Sequence, residues 1–208
     1  MTAERTVVFV VDDDPRVRDA LASLLASASL EVAVFASATE FLEADKPDAA
    51  ACLVLDLELP DINGLQLQKE LAEREAPPIV FLTGHGDIPS SVKAMKAGAV
   101  EFLSKPVGED ELLRAIDAAI ALDRAERLRR SERVALKDRY ERLTPREREV
   151  LTFVVAGFAN KQTAGELGTS EITIGVHRGQ IMRKMGARSL AELVRLADKL
   201  GIRPHENR

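Results

Sequence analysis

Six side chains stand out for the chemistry they could do together. Asp12, Asp13 and Asp14 follow directly on the apolar run Val7–Val11, Asp56 ends "ACLVLD", Thr83 ends "PIVFLT", and Lys105 follows "EFLS". Like charges a few ångströms apart repel, and burial makes each carboxyl costlier to ionise, so such a cluster needs a compensating cation. An oxygen-only set suits a hard divalent ion such as Mg²⁺, with Mn²⁺ as a substitute, which takes one or two carboxylates and keeps several waters. With an ion at Asp12, Asp13 and Asp56, a hydroxyl at Thr83 and a compact ammonium at Lys105 complete the parts for placing a phosphoryl group on an aspartate nucleophile, Asp56. Gly84, next to Thr83, leaves space for that group to enter. Asp14 precedes Pro15 and reads as a helix N-cap.

These residues can meet only if the elements that carry them converge. Short apolar, β-branched segments at 7–11, 31–35, 51–56, 78–83 and 99–104 read as strands. Each is followed by a helical pattern. Val17, Leu21, Leu24 and Leu25 share one face after Pro15, and "SATE" (37–40) is a capping box. Helices follow at "LQLQKELAERE", around "PSSVKAMKAG" and from Glu109 onward. Alternating strands and helices predict a five-stranded, doubly wound parallel α/β sheet. Ligands of such sheets bind outside the carboxyl ends of the strands, which is where Asp12–Asp14, Asp56, Thr83 and Lys105 fall.

The remaining chain changes character. Residues 1–120 carry 10 Lys and Arg against 22 Asp and Glu, net −12, whereas residues 121–208 carry 19 against 12, net +7. An acidic front and a basic back suggest that only the back half meets a polyanion. No Gly or Pro interrupts Glu109–Arg142, which predicts a long helix with residues 122–142 as a solvated connection or a partly paired dimer helix. Beyond it, "TPRE" (144–147) is a capping box closed by Glu147, Asn160 is expected to cap the next helix, Ser170 caps "EITIGVHRGQIMRKM", and Ser189 with Glu192 box the last. The single cysteine, Cys52, lies in an apolar run and reads as a core residue. His177 and His205 have no ligand partners at metal-binding spacing. With no signal-peptide layout and no apolar run near the length of a membrane span, a cytoplasmic protein without membrane contact is expected.

The four motifs "VVDDDP", "LVLDLELPDING", "FLTGHGD" and "FLSKP", in this order, make residues 6–120 resemble the receiver domain of bacterial two-component response regulators. The resemblance implies that a cognate histidine kinase phosphorylates Asp56, with Asp12, Asp13, Asp56 and the Glu58 backbone carbonyl around Mg²⁺. It also implies a cis Lys105–Pro106 bond and places Phe102 at the aromatic switch position, where the ring turns inward as Thr83 moves toward the phosphoryl group. A simple core role is the alternative for Phe102. His85 either gates water at the phosphate or is an exposed loop histidine, and the Glu58 side chain is a similar case.

"LTPREREVL…ANKQTAGELGTSEITIGVHRGQIMRKMGARS" resembles the LuxR-type helix-turn-helix of FixJ/NarL-type regulators over residues 143–201. In that family the helix near 171–185 enters the major groove. Carried over, Thr173, His177 and Arg178 fall at or near DNA, and Lys161, Arg183, Lys184 and Arg188 at phosphates. The family usually has a lysine where this chain has Gly175, and Gly179 follows one turn later. Either the helix approaches the DNA backbone closely there or base contacts are lost.

The expected organisation is therefore a receiver domain at 1–121, a linker helix at 122–142 and a helix-turn-helix domain at 143–208. The expected function is a phosphorylation-dependent transcriptional regulator that is not itself an enzyme. It would dimerise when phosphorylated and bind double-stranded DNA, with RNA polymerase as a further candidate partner. Two alternatives belong to other classes. One is a phosphoaspartate-controlled protein-interaction module with weakened DNA readout. The other is an aspartate-nucleophile phosphatase, with Glu58 two residues after the nucleophile as its acid/base but no recognisable cap.

Overall fold

The structure, a computed structural model, describes residues 5–84 and 88–205. The chain divides into two compact units, Met1–Arg127 and Leu128–Arg208.

In the first unit, strands β1 (Thr6–Val11), β2 (Glu31–Phe35), β3 (Ala50–Leu55), β4 (Ile79–Thr83) and β5 (Glu101–Ser104) form one parallel sheet in the order β2-β1-β3-β4-β5. Side chains alternate across it, as the two-residue period requires. Val7, Phe9 and Val11 join one apolar cluster with Phe41, Leu67, Leu71 and Ala94, from helices α2 (Ala38–Glu43), α3 (Gly64–Ala72) and α4 (Ile88–Lys96). Val8 and Val10 join the opposite cluster with Leu21 and Leu25 of α1 (Pro15–Ser27) and Leu112 and Ile116 of α5 (Glu109–Glu141). Both faces are covered, which explains why the strands read as continuous apolar runs. Cys52 is buried in the second cluster, and burial, with Asp123 nearby, pushes its thiol pKa far up. β5 starts two residues later than the apolar pattern at 99 suggests.

Local signals explain the helix starts. Asp14 caps α1 through the Arg16 amide, Ser37 caps α2 through the Glu40 amide, and Asn63 caps α3 through the Leu65 amide. Glu40 reaches back to Ala36 N at 2.7 Å, one residue short of a strict capping box.

Helix α5 runs uninterrupted from Glu109 to Glu141, and the division between the units falls within it. Residues 122–141 are part of this one helix, and apart from buried Asp123 and Leu136 most of that stretch is exposed to solvent. In the second unit, Leu136 is buried among Leu143, Leu151, Ile174 and Ile181, and Tyr140 packs against the same cluster. The rest of that unit is α6 (Pro145–Val155), α7 (Asn160–Glu166), α8 (Glu171–Met185) and α9 (Leu190–Lys199), with no strand among the described residues. Thr144 and Glu147 form the reciprocal capping box of α6. The start of α7 departs from expectation: Ala159 is the cap residue, its amide taken by the Gln162 side chain at 2.9 Å, and Asn160 is already helical.

One glycine of the first unit ties the fold to the site. A methyl group built at Gly64 would lie 2.5 Å from the Asp56 carbonyl oxygen and 3.1 Å from both Leu57 Cα and the Phe81 ring. The first two are backbone atoms that cannot swing aside. Gly64→Ala is therefore expected to destabilise the protein by about 1–3 kcal/mol in urea unfolding, the usual cost of overpacking. An unchanged midpoint would show that the β3–α3 connection yields freely.

Candidate functional sites

The strand register builds the first site. β1 and β3 pair as Val11↔Leu55, so Asp12 and Asp56 are the next residues on adjacent strands, and the Asp56 amide donates to the Val11 carbonyl at 2.9 Å. β4 and β5 pair as Thr83↔Ser104, and the Lys105 amide donates to the Thr83 carbonyl at 2.8 Å. Four residues distant in sequence thus reach one strand-end crevice.

Lys105 closes it. Its ammonium donates to Asp12 Oδ2 at 2.5 Å and to Asp56 Oδ2 at 2.6 Å, both carboxylates being buried. Burial works against the charged lysine, but these two hydrogen bonds outweigh it and raise its pKa. Burial raises the Asp12 pKa, only partly offset by Lys105. The other oxygen of Asp12 accepts from the Asp14 amide at 3.0 Å, and Asp56 Oδ1 accepts from the Glu58 amide at 3.3 Å. Asp13 is exposed at the rim. Asp12, Asp13 and Asp56 each bring a carboxylate oxygen within 4.8 Å of the others, an all-oxygen set of the kind a hard divalent cation prefers.

Thr83 is buried at the end of β4, and Gly84 beside it faces open space: a methyl group placed there would meet no described atom within 4 Å. The Lys105–Pro106 bond is cis. Phe102 is half-buried, its ring centroid 5.8 Å from that of Phe81, at the edge of the core. His85 lies outside the described residues.

Two residues of this site escaped sequence reasoning. Arg18, one turn into α1, donates to the carbonyls of Asp12 and Asp13 at 2.7 and 2.9 Å and so holds the acidic turn. Asp61, in the connection after Asp56, accepts from the Thr39 amide and hydroxyl, both at 2.7 Å, and from the Ala38 and Ile62 amides. It satisfies the first amides of α2 from the connection between β3 and α3. The only sequence hint is its place in a loop rich in turn residues, "LPDING".

The second unit carries 17 Lys and Arg against 10 Asp and Glu. α8 buries Ile174, Ile181 and Met185. Of the residues expected at DNA, Lys161, Thr173, Arg183 and Arg188 are exposed, and His177 is half-buried. Thr173 shares a 2.8 Å hydrogen bond with the Ser170 hydroxyl at the start of α8. Arg178 is half-buried and donates one guanidinium nitrogen to the Phe158 carbonyl at 3.2 Å. Lys184 differs from expectation. Its ammonium donates to both carboxylate oxygens of buried Glu147, at 2.6 and 2.9 Å, and so locks α8 to the capping box of α6 rather than facing outward to a phosphate. Glu147 has its pKa lowered, burial being outweighed by Lys184 and Thr144. Gly175 turns toward α7, where a methyl would meet the Asn160 side chain at an ordinary 3.6 Å, while Gly179 faces open space among the described residues.

A parallel α/β unit with an acidic strand-end crevice, followed by a basic helical unit with a capped, outward-facing helix, defines a two-part regulator. Residues 8–117 match the response regulator receiver domain family, and residues 141–197 match the luxR family of bacterial regulatory proteins. The chain belongs to the response regulators that join a receiver domain to a luxR-type DNA-binding domain. Nodulation protein W of Bradyrhizobium diazoefficiens is 50% identical over 199 residues, covering 95% of this chain and 88% of that protein. Response regulator protein TodT of Pseudomonas putida is 47% identical over 201 residues, covering 96% and 88%. The solved structure of response regulator StyR superposes with a TM-score of 0.84 at 48% identity, covering 95% of this chain and all of that one. Among the described residues no helix is long and apolar enough to cross a membrane.

The Asp61 cap has a pH signature. Despite the opposing effect of burial, its hydrogen bonds lower the carboxyl from its ordinary 3.8 to about 2. A depressed folded-state value stabilises above the unfolded value and is lost as pH falls through the folded one. Asp61→Ala is expected to cost about 1 kcal/mol near neutral pH, as for other lost N-caps. The gap between variant and parent should narrow from about pH 4 down to about pH 2. A gap that does not change with pH in denaturant titrations would contradict the assignment.

Proposed function

We propose that Asp56 is the phosphoacceptor of a cognate histidine kinase and that its phosphorylation controls binding of the second unit to double-stranded DNA. The observation that carries this reading is the Lys105 ammonium shared between buried Asp12 and Asp56 at the strand ends, with Thr83 on the next strand. Asp56 Oδ attacks phosphorus as the phosphorus–nitrogen bond of a phosphohistidine breaks, the electron pair leaving on the imidazole nitrogen. Asp12 and Asp13, with Asp56 and the Glu58 backbone carbonyl, are the residues to hold Mg²⁺ or Mn²⁺, and the all-oxygen donor set fits such an ion. When bound, the ion supplies positive charge to phosphoryl oxygens.

The chain's own residues do the remainder. Lys105 exchanges a carboxylate for a phosphoryl oxygen, Thr83 donates its hydroxyl to another, and Arg18 keeps the acidic turn in place. Thr83 and Phe102 then alter the face around β5, where the half-buried ring already rests against Phe81. The altered face pairs two receivers, and the paired second units engage two DNA half-sites, with RNA polymerase as a further partner. DNA contacts come from Thr173 and His177 on α8, from the free part of the Arg178 side chain, and from Lys161, Arg183 and Arg188 at phosphates. A soluble regulator of the cytoplasm is the setting this implies.

Asp56→Asn is expected to abolish acid-labile phosphoryl incorporation from acetyl phosphate and magnesium while leaving the fold intact by circular dichroism. Incorporation at the parent level in that variant would move the phosphoacceptor elsewhere.

A further inference from the structure

Helix α8 turns an apolar stripe outward. At about 100° per residue, Ile172, Val176, Gly179 and Arg183 fall within about 60° of one another, on the side away from buried Ile174, Ile181 and Met185. Ile172 is 82% exposed and Val176 58%. Two large aliphatic chains thus stand one turn apart on the exposed side of the N-terminal half of the helix. The stripe continues into Arg183, and Lys161 of α7 and Arg188 just after α8 are also exposed, in a unit whose cations outnumber its carboxylates by 17 to 10. That surround fits a polyanion better than an apolar protein face.

In the major groove, the one apolar group displayed on a base edge is the C5-methyl of thymine. Gly175 and Gly179 place no donor or acceptor beside the stripe, so guanine O6 and N7 find no bidentate partner from these positions. Gly179 also leaves the helix surface open for close approach. We propose that Ile172 and Val176 read thymine by apolar contact with its methyl group, which makes the half-site rich in A·T pairs. This rests on the DNA-binding reading above. Four residues of helix span about 6 Å and one base-pair step about 3.4 Å, so the two thymines lie within two base pairs of each other.

The test uses the full-length protein with acetyl phosphate and magnesium. Duplexes selected from a random pool are remade with deoxyuridine in place of thymidine, which removes only the methyl. Affinity should fall about fourfold for each contacted methyl, the equivalent of one buried methylene, at two sites within a half-site. Ile172→Ala, at a position too exposed to disturb the fold, should abolish the thymine–uracil difference at one of those sites and leave the salt dependence unchanged. Equal affinity for both duplex types with sequence preference intact would overturn methyl readout and leave DNA binding standing. So would an Ile172→Ala variant that keeps the full thymine–uracil difference at every site, and unchanged affinity for both duplexes is the outcome expected if the stripe docks a protein. No binding to any duplex at low salt would instead remove the DNA-binding reading itself.

Discussion

Two buried carboxylates at the ends of neighbouring strands can coexist in this protein because one ammonium lies between them. Carboxylate oxygens of Asp12, Asp13 and Asp56 sit within 4.8 Å of one another. At an effective dielectric constant of about 20, each like-charge pair at that range repels by about 3–4 kcal/mol. Lys105, hydrogen-bonded to Asp12 and Asp56, offsets much of this, and its own pKa is raised by the same contacts. The arrangement leaves the Asp56 carboxylate hydrogen-bonded to the Lys105 ammonium. A phosphoryl group added there would bring further negative charge to a place prepared to receive it. The crevice is positioned by the in-register pairing of β1 with β3 and of β4 with β5, by the close approach of Gly64 to the Asp56 backbone, and by Arg18 on the carbonyls of the acidic turn.

The second unit relies on a similar device for a different purpose. Glu147 closes the capping box of α6 and pairs with Lys184 of α8, so one buried carboxylate fixes both the start of one helix and the far end of another. Removing one member of such a pair leaves a buried charge without a partner, which generally costs about 3–5 kcal/mol. Because α8 is held from behind by this pair and by Ile174, Ile181 and Met185, its opposite face can remain exposed and still be presented in a fixed orientation.

Much of this was legible in the sequence because the signals are local or periodic. The five apolar runs, the aspartates that end two of them, and the caps at Asp14, Ser37, Thr144, Ser170 and Ser189 depend on neighbours a few residues away. What was not legible depends on distant partners. Lys184 resembles any cation near a helix end until Glu147, 37 residues earlier, is seen to engage it. Asp61 caps a helix that begins 23 residues before it. Asn160 was the better cap by residue type, yet Gln162 takes the Ala159 amide and shifts the helix start by one residue. The outward stripe of α8 needed only helical arithmetic, but which side faced the core was set by tertiary packing. The end of α5 likewise looked solvated because its apolar positions are sparse, although Leu136 and Tyr140 suffice to join it to the second core.

A crystal structure grown with magnesium and beryllium fluoride would show whether Asp12, Asp13, Asp56, Thr83 and Lys105 act as one phosphoryl-accepting centre. The expected density is a fluoroberyllate on the Asp56 carboxylate, the cation against Asp12 and Asp13, and the Lys105 ammonium and Thr83 hydroxyl turned to fluorine atoms. A bare Asp56 carboxylate, with Lys105 still bridging it to Asp12 at saturating fluoroberyllate, would contradict it.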